Sequence, residues 1–145
     1  MSLSGAGCAF CGIARGDAPA AVVWESPELI AFLDARPVFK GHVLVVPRAH
    51  HVTVVDLPAA LLRPVMAGIQ HVAAGVVAAL GAQGTFVAMN NVVSQSVPHL
   101  HCHVVPRTKG DGLRGFFWPR VRYDSDAERE EYAARLRAVL THVSR

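Results

Sequence analysis

The sequence predicts an α+β fold: an antiparallel sheet of about five strands with one long central helix and a C-terminal helix. Three observations carry this. Short β-branched segments follow one another along the chain, without the strand–helix alternation of a parallel sheet. One long apolar stretch interrupts them, ending in "VMAGIQHVAAGVVAAL" (65–80). The chain has 145 residues, 52% hydrophobic and 17% charged, enough to bury one core without disulfides and too apolar for disorder. A single domain, 1–145, is expected.

"AAVVWES" (20–26) and "ELIAFLDA" (28–35) read as two strands separated by the turn signal Ser26-Pro27. "GHVLVVPR" (41–48) is a third, opened by Gly41 and closed by Pro47. Asp56 reads as the N-cap of a helix running to about Leu80 and ended by Gly81, with Pro64 kinking it or resetting its start. "GTFVAMNN" (84–91) is a fourth strand, and a histidine-bearing strand (99–105) a fifth. After a loop at 109–115, residues 124–143 form an amphipathic helix with Tyr132, Leu136, Val139 and Leu140 on one side.

The formal net charge of +3 comes without a Lys/Arg run, which suits a small anion better than a nucleic acid. The window 65–80 is short for a membrane span and holds Gln70, His71 and two glycines, so a buried helix is expected. A cytoplasmic location follows by default. Three cysteines is an odd count, which argues against a disulfide framework.

"VPHLHCHVVPR" (97–107) carries the chemistry. On a strand, His99, His101 and His103 share one face, while Leu100, Cys102 and Val104 face the core. Cys102 is thereby excluded as a nucleophile. Side chains two apart stand about 7 Å apart along a strand, so the outer pair cannot share one metal without bending. One end of the run therefore suits a metal and the other two histidines a substrate. Cys8-x-x-Cys11 supplies partners: with His50 or His51 of "PRAHH" and with His99, it makes a closed Cys₂His₂ set of the kind zinc takes. Two alternatives are a redox CxxC and two unligated thiols. The redox reading wants a following helix, and "CAFCGIARGDAPA" breaks at Gly16 and Pro19.

"HLHCHVV" resembles the His-apolar-His-apolar-His-apolar-apolar pattern of the histidine triad (HIT) superfamily of nucleotide hydrolases and transferases. The likeness extends to "CAFCGIARGDAPA" (8–19 and the residue after it), "VVWESPELIAFLDARPVFKGHVLVVPRAHH" and "MNNVVSQSVPHLHCHVVPR", in the family's order and spacing. "HVVPRTKGD" is similar to the fragile-histidine-triad branch, and the CxxC to zinc-bearing bacterial members.

The resemblance implies a structural zinc, a homodimer, and a purine nucleotide or dinucleoside polyphosphate as substrate. It implies that His101 attacks an α-phosphorus, that His103 serves the leaving group, and that His42 supports them. The attack requires a ring held in one tautomer, with a backbone carbonyl on Nδ1 and Nε2 presented. The resemblance further implies that Asp34 meets ribose hydroxyls, that Phe10, Ile13, Phe32 and Leu44 form the base slot, and that Asn90, Gln95 and Ser96 meet phosphate. "NNVVSQSV" is about two residues shorter than the family's loop, which leaves Asn90 and Asn91 both open, and Ser94 stands for a common glycine. Arg114 or Arg120, in the basic, aromatic stretch of the segment 108–145, is a candidate for distal phosphates. A transferase with the same intermediate and a non-enzymatic nucleotide-binding module are the competing readings.

Overall fold

The structure is a computed structural model, and it describes residues 5–113 and 120–140. It divides into two compact units, Met1–Asp111 and Gly112–Arg145. The first holds a short helix α1 (Ala9–Arg15), strands β1 (Val22–Glu25), β2 (Leu29–Leu33) and β3 (Val43–Pro47), the long helix α2 (Ala59–Leu80), and strands β4 (Gly84–Ala88) and β5 (Cys102–Arg107). The second holds helix α3 (Asp126–Leu140).

The five strands form one antiparallel sheet in the order β1-β2-β3-β5-β4, as the sequence predicts. Alternation along the central strands divides the sheet into two apolar faces. Leu29, Ala31, Val43, Val45, Cys102 and Val104 belong to one core, and α2 covers it with Val65, Ile69, Val72 and Val76. That i, i+4, i+7, i+11 spacing is one stripe of a helix. The alternate residues Ile30, Phe32, Leu44 and Val46 form a second core with Phe10 of α1. Burying each of these side chains contributes about 2 kcal/mol. At Gly68 a Cβ would overlap Leu29 and press on Trp24, so glycine lets α2 lie close to the sheet.

Several sequence expectations change. Asp56 does not cap α2: its carboxylate accepts hydrogen bonds from the N–H and Oγ1 of Thr53, each at 2.8 Å, and closes a separate 3₁₀ turn, Val54–Asp56. Buried Leu57 and exposed Pro58 intervene, and α2 starts at Ala59 and runs through Pro64 without a new start. At 22 residues α2 is also long and apolar enough to cross a membrane, so length does not exclude a span. Its packing on four strands of the sheet is that of a core helix.

Between Cys8 and Gly16 the chain makes a two-turn helix that the punctuation at Gly16 and Pro19 seemed to leave little room for; Gly16, at φ +80°, is its left-handed terminus. The fifth strand begins at Cys102, so His99, Leu100 and His101 precede it. The two faces nonetheless alternate as expected, with Leu100 in the α2 core.

In the second unit, α3 starts at Asp126 rather than at about Asp124, and the expected end at Val143 lies outside the described residues. Ser125 Oγ accepts the Glu128 N–H at 3.0 Å at its start, and Tyr132, Leu136, Val139 and Leu140 are exposed.

Candidate functional site

Two histidine clusters flank one cleft. In the first, Cys8 and Cys11 from the start of α1, His50 after β3 and His99 before β5 bring four ligand atoms within 4.8 Å of one another. His99 Nδ1 stands 3.5 Å from Cys8 Sγ, 3.4 Å from Cys11 Sγ and 3.2 Å from His50 Nδ1, and Cys11 Sγ is 3.3 Å from His50 Nδ1. Around a tetrahedral ion with bonds of about 2.3 Å to sulfur and 2.0–2.1 Å to nitrogen, such edges are about 3.3–3.8 Å. The residues fit.

The donor chemistry agrees. His99 donates Nε2–H to the Pro47 carbonyl at 2.7 Å, which turns the Nδ1 lone pair of the neutral ring into the cluster. The ring is fully buried, and desolvation lowers its pKa, favouring the neutral, ligating form. Between the two histidines left open by the sequence, His50 brings its nitrogen here, while the His51 carbonyl accepts the Leu100 N–H at 2.6 Å.

In the second cluster, hydrogen bonds fix three tautomers. His101 Nδ1–H donates to the His99 carbonyl at 2.7 Å; in the neutral ring Nε2 is then bare. The Val38 N–H donates to His42 Nδ1 at 3.1 Å, so the proton of neutral His42 is on Nε2 and passes as a donor to His103 Nδ1 at 2.9 Å. His103 therefore carries its own proton on Nε2. Burial, with His101 and His42 adding to it, pushes the His103 pKa down to about 4, and burial lowers that of His42 despite Asp34. Asp34, His42 and His103 also lie within metal-ligand reach of one another, but both His42 nitrogens and His103 Nδ1 are engaged in this chain. It is a hydrogen-bond relay. Cys102, on the other face, has a thiol raised by burial to about 11, which agrees with its exclusion as a nucleophile.

The neutral relay has a consequence for stability. His103 takes up a proton near pH 6.5 when unfolded and near 4 when folded, so the unfolded chain binds more protons between those values. Stability is complete above about pH 7 and falls as the pH drops from 6.5 toward 4. Thermal midpoints at pH 7.5 and 5.0 should show this loss, and His103→Asn should show a smaller one.

The cleft has a volume of about 500 Å³. Phe10, Ile13, Phe32 and Leu44 line its apolar part, and Asp34, Ser96, His101 and His103 its polar part. Phe10 stands edge-on to Phe32 and to His101, with ring centroids 5.4 and 5.0 Å apart. Of the candidates named from the sequence, His42, Asn90 and Gln95 do not line it. Gln95 spans the loop, accepting the Val92 N–H at 3.0 Å and donating to the Val52 carbonyl at 2.6 Å. Asn90 donates to the Ser94 carbonyl at 3.2 Å, and Asn91 accepts the Val54 N–H at 2.8 Å. Ser94 adopts φ +60°, the left-handed conformation natural to the glycine it replaces, and Val92 sits at +70°, strained for a β-branched residue.

Sequence reading missed Arg36, which lines the cleft and whose N–H donates to Asp34 Oδ1 at 2.9 Å; its place two residues after Asp34 was the available signal. Arg120 is exposed in the second unit, and Arg114 falls outside the described residues. A further hollow of about 480 Å³ under α2 is walled by apolar residues with His71 as its titratable side chain, so it gathers no comparable set of groups.

The fold and the paired clusters define a small α+β protein built around a histidine triad. The HIT domain profile matches residues 15–110, and the chain belongs to that family. A HIT-like protein of Mycobacterium tuberculosis is 37% identical over 123 residues, 83% of this chain and 85% of the relative. An adenosine 5′-monophosphoramidase of Schizosaccharomyces pombe is 32% identical over 114 residues, 77% of this chain and 83% of that one. Among solved structures, a zinc-bound histidine triad family protein of Mycobacterium smegmatis superposes with a TM-score of 0.70 and 34% identity, covering 98% of this chain and 100% of the other.

Proposed function

We propose that this protein is a nucleotide hydrolase that cleaves an α-phosphate linkage through a nucleotidyl intermediate on His101 and releases a nucleoside monophosphate. The observation that carries the reading is the His101 ring: Nδ1 is tied to the His99 carbonyl, and the ring lines a cleft with an apolar slot at one side and Asp34 at the other. Family membership and the monophosphoramidase relative support the reaction class.

The derivation follows the tautomers. Nε2 of His101 attacks the α-phosphorus; the P–N bond forms as the bond to the leaving group breaks. His103, a donor on Nε2 because His42 donates to its Nδ1, gives a hydrogen bond to the departing atom as charge develops there. Water then attacks the phosphorus, the P–N bond breaks, and the monophosphate leaves with His101 restored. The base lies in the slot between Phe10, Ile13, Phe32 and Leu44, where stacking and area favour a purine. Ser96, the one expected phosphate residue that lines the cleft, is the phosphate side.

Asp34 meets the ribose hydroxyls. Losing a charge-assisted hydrogen bond costs about 1.5–3 kcal/mol, so Asp34→Ala should raise KM about tenfold or more with kcat changed far less. Steady-state kinetics on an adenosine phosphoramidate measures both; an unchanged KM removes Asp34 from the ribose site.

Cys8, Cys11, His50 and His99 would hold zinc as a closed structural site, a reading that the M. smegmatis neighbour and the edge lengths support. A homodimer is part of the same proposal, with β1 and β4, the outermost strands of the sheet, as the strands a second sheet would extend. The deciding experiment is a panel of adenosine phosphoramidates, adenylylated adducts and dinucleoside polyphosphates with products separated by chromatography. Release of AMP is expected. Binding without turnover across the panel would leave a nucleotide-binding module, and a nucleoside diphosphate formed only with added phosphate would indicate a phosphorolytic transferase.

A further inference from the structure

We infer that the Cys₂His₂ site is also the positioning device of the nucleophile: occupancy by metal holds His101 in its attacking tautomer through His99. The inference rests on the functional reading above and deepens it.

Three connections run from the cluster to His101. His99 contributes its side chain to the ligand set and its carbonyl to His101 Nδ1, so one residue serves both sites. The next peptide is anchored by the Leu100 N–H on the carbonyl of His51, the neighbour of ligand His50. Phe10, between the two cysteines on α1, sets its ring edge-on to both His99 and His101, at 6.0 and 5.0 Å.

Outside the cluster, the segment is held by its own main chain, with the His99 N–H on the Val97 carbonyl at 2.8 Å and the Leu100 N–H on His51. β5 begins only at Cys102 and pairs with β3 through Cys102, His103 and Val104, so the His99–His101 segment precedes this ladder. Pro98 has no N–H to give. The buried His99 ring is held at Nε2 by the Pro47 carbonyl, and its Nδ1 faces Cys8, Cys11 and His50, so a bound ion would fix that second end. The residue so fixed is the one whose carbonyl accepts the His101 Nδ1–H. Outer partners of this kind change activity by about 10–100-fold. His99 is a positioning residue, acting through His101.

The test uses the full-length protein with ¹⁵N-labelled histidine, loaded with zinc and then stripped by a chelator. In the loaded protein, long-range ¹H–¹⁵N correlation should show His101 as a single tautomer protonated on Nδ1. After stripping, both tautomers should appear, the rate on an adenosine phosphoramidate should fall about 10–100-fold, and zinc should restore both. AMP affinity should change far less than the rate. An unchanged tautomer with an unchanged rate overturns the coupling. Should the stripped chain unfold, Cys8→Ser keeps three ligands, and tautomer and rate must then follow zinc occupancy in a titration; independence of occupancy overturns it equally. A zinc-loaded protein that turns over no nucleotide contradicts the hydrolase reading, while the tautomer comparison still decides the coupling.

Discussion

Replacing His101 with glutamine removes turnover by on the order of 10⁴-fold or more, while nucleotide affinity stays within a small factor. The size follows from the role: the ring forms the bond to phosphorus, and among the described residues no other imidazole at the cleft offers a bare nitrogen. His103 is the nearest alternative, with ring centroids 5.0 Å apart, but its Nδ1 is engaged by His42 and its Nε2 carries a proton. Cys102 points into the α2 core with a thiol held near 11. Glutamine preserves a hydrogen-bonding side chain of similar reach, so the slot and the His99 carbonyl are retained. Single-turnover kinetics and AMP calorimetry separate the two quantities. A loss of less than about tenfold would mean that water attacks directly.

The second large effect is on stability. Cys11→Ser should lose the bound metal and lower the thermal midpoint by on the order of 10 °C. Cys11 is buried, and its sulfur stands within 3.4 Å of both ligand histidines. The cluster brings α1 together with the chain after β3 and the segment before β5, so one bound ion would join three parts of the fold. A lost ligand in a closed site leaves buried donors facing one another, about 3–5 kcal/mol. A chain of this size shifts by about 2–4 °C for each kcal/mol. Metal content per chain and calorimetry on the same samples check it. A variant that loses the ion and melts with the wild type would make the metal incidental to folding.

Much of this site was legible because strand periodicity and ligand chemistry leave distinct marks. Three histidines at alternate positions mark one face of the segment, and the Leu100, Cys102, Val104 set marks the face on the α2 core. CxxC needs partners, and the distances select His50 over His51, a choice that adjacent letters could not make. What stayed hidden was backbone. The carbonyls of His99 and Pro47 and the N–H of Val38 fix the tautomers of His101, His99 and His42, and main-chain atoms carry no sequence signal. The α2 start was misread at Asp56 because a carboxylate before an apolar run marks a 3₁₀ turn as readily as a helix. The early end of the sheet ladder at Cys102 has a similar origin: Pro98 removes a donor, and the His99 ring takes over the anchoring that strand pairing would have supplied.

The claim on which the rest depends is that the His101 imidazole becomes transiently nucleotidylated on the way to product. The stereochemical course at phosphorus tests it most directly. With a substrate made chiral at the α-phosphorus by sulfur and heavy oxygen, two successive in-line displacements return the original configuration, and overall retention is the predicted result. Inversion would show a single displacement by water and contradict the nucleophilic role of His101.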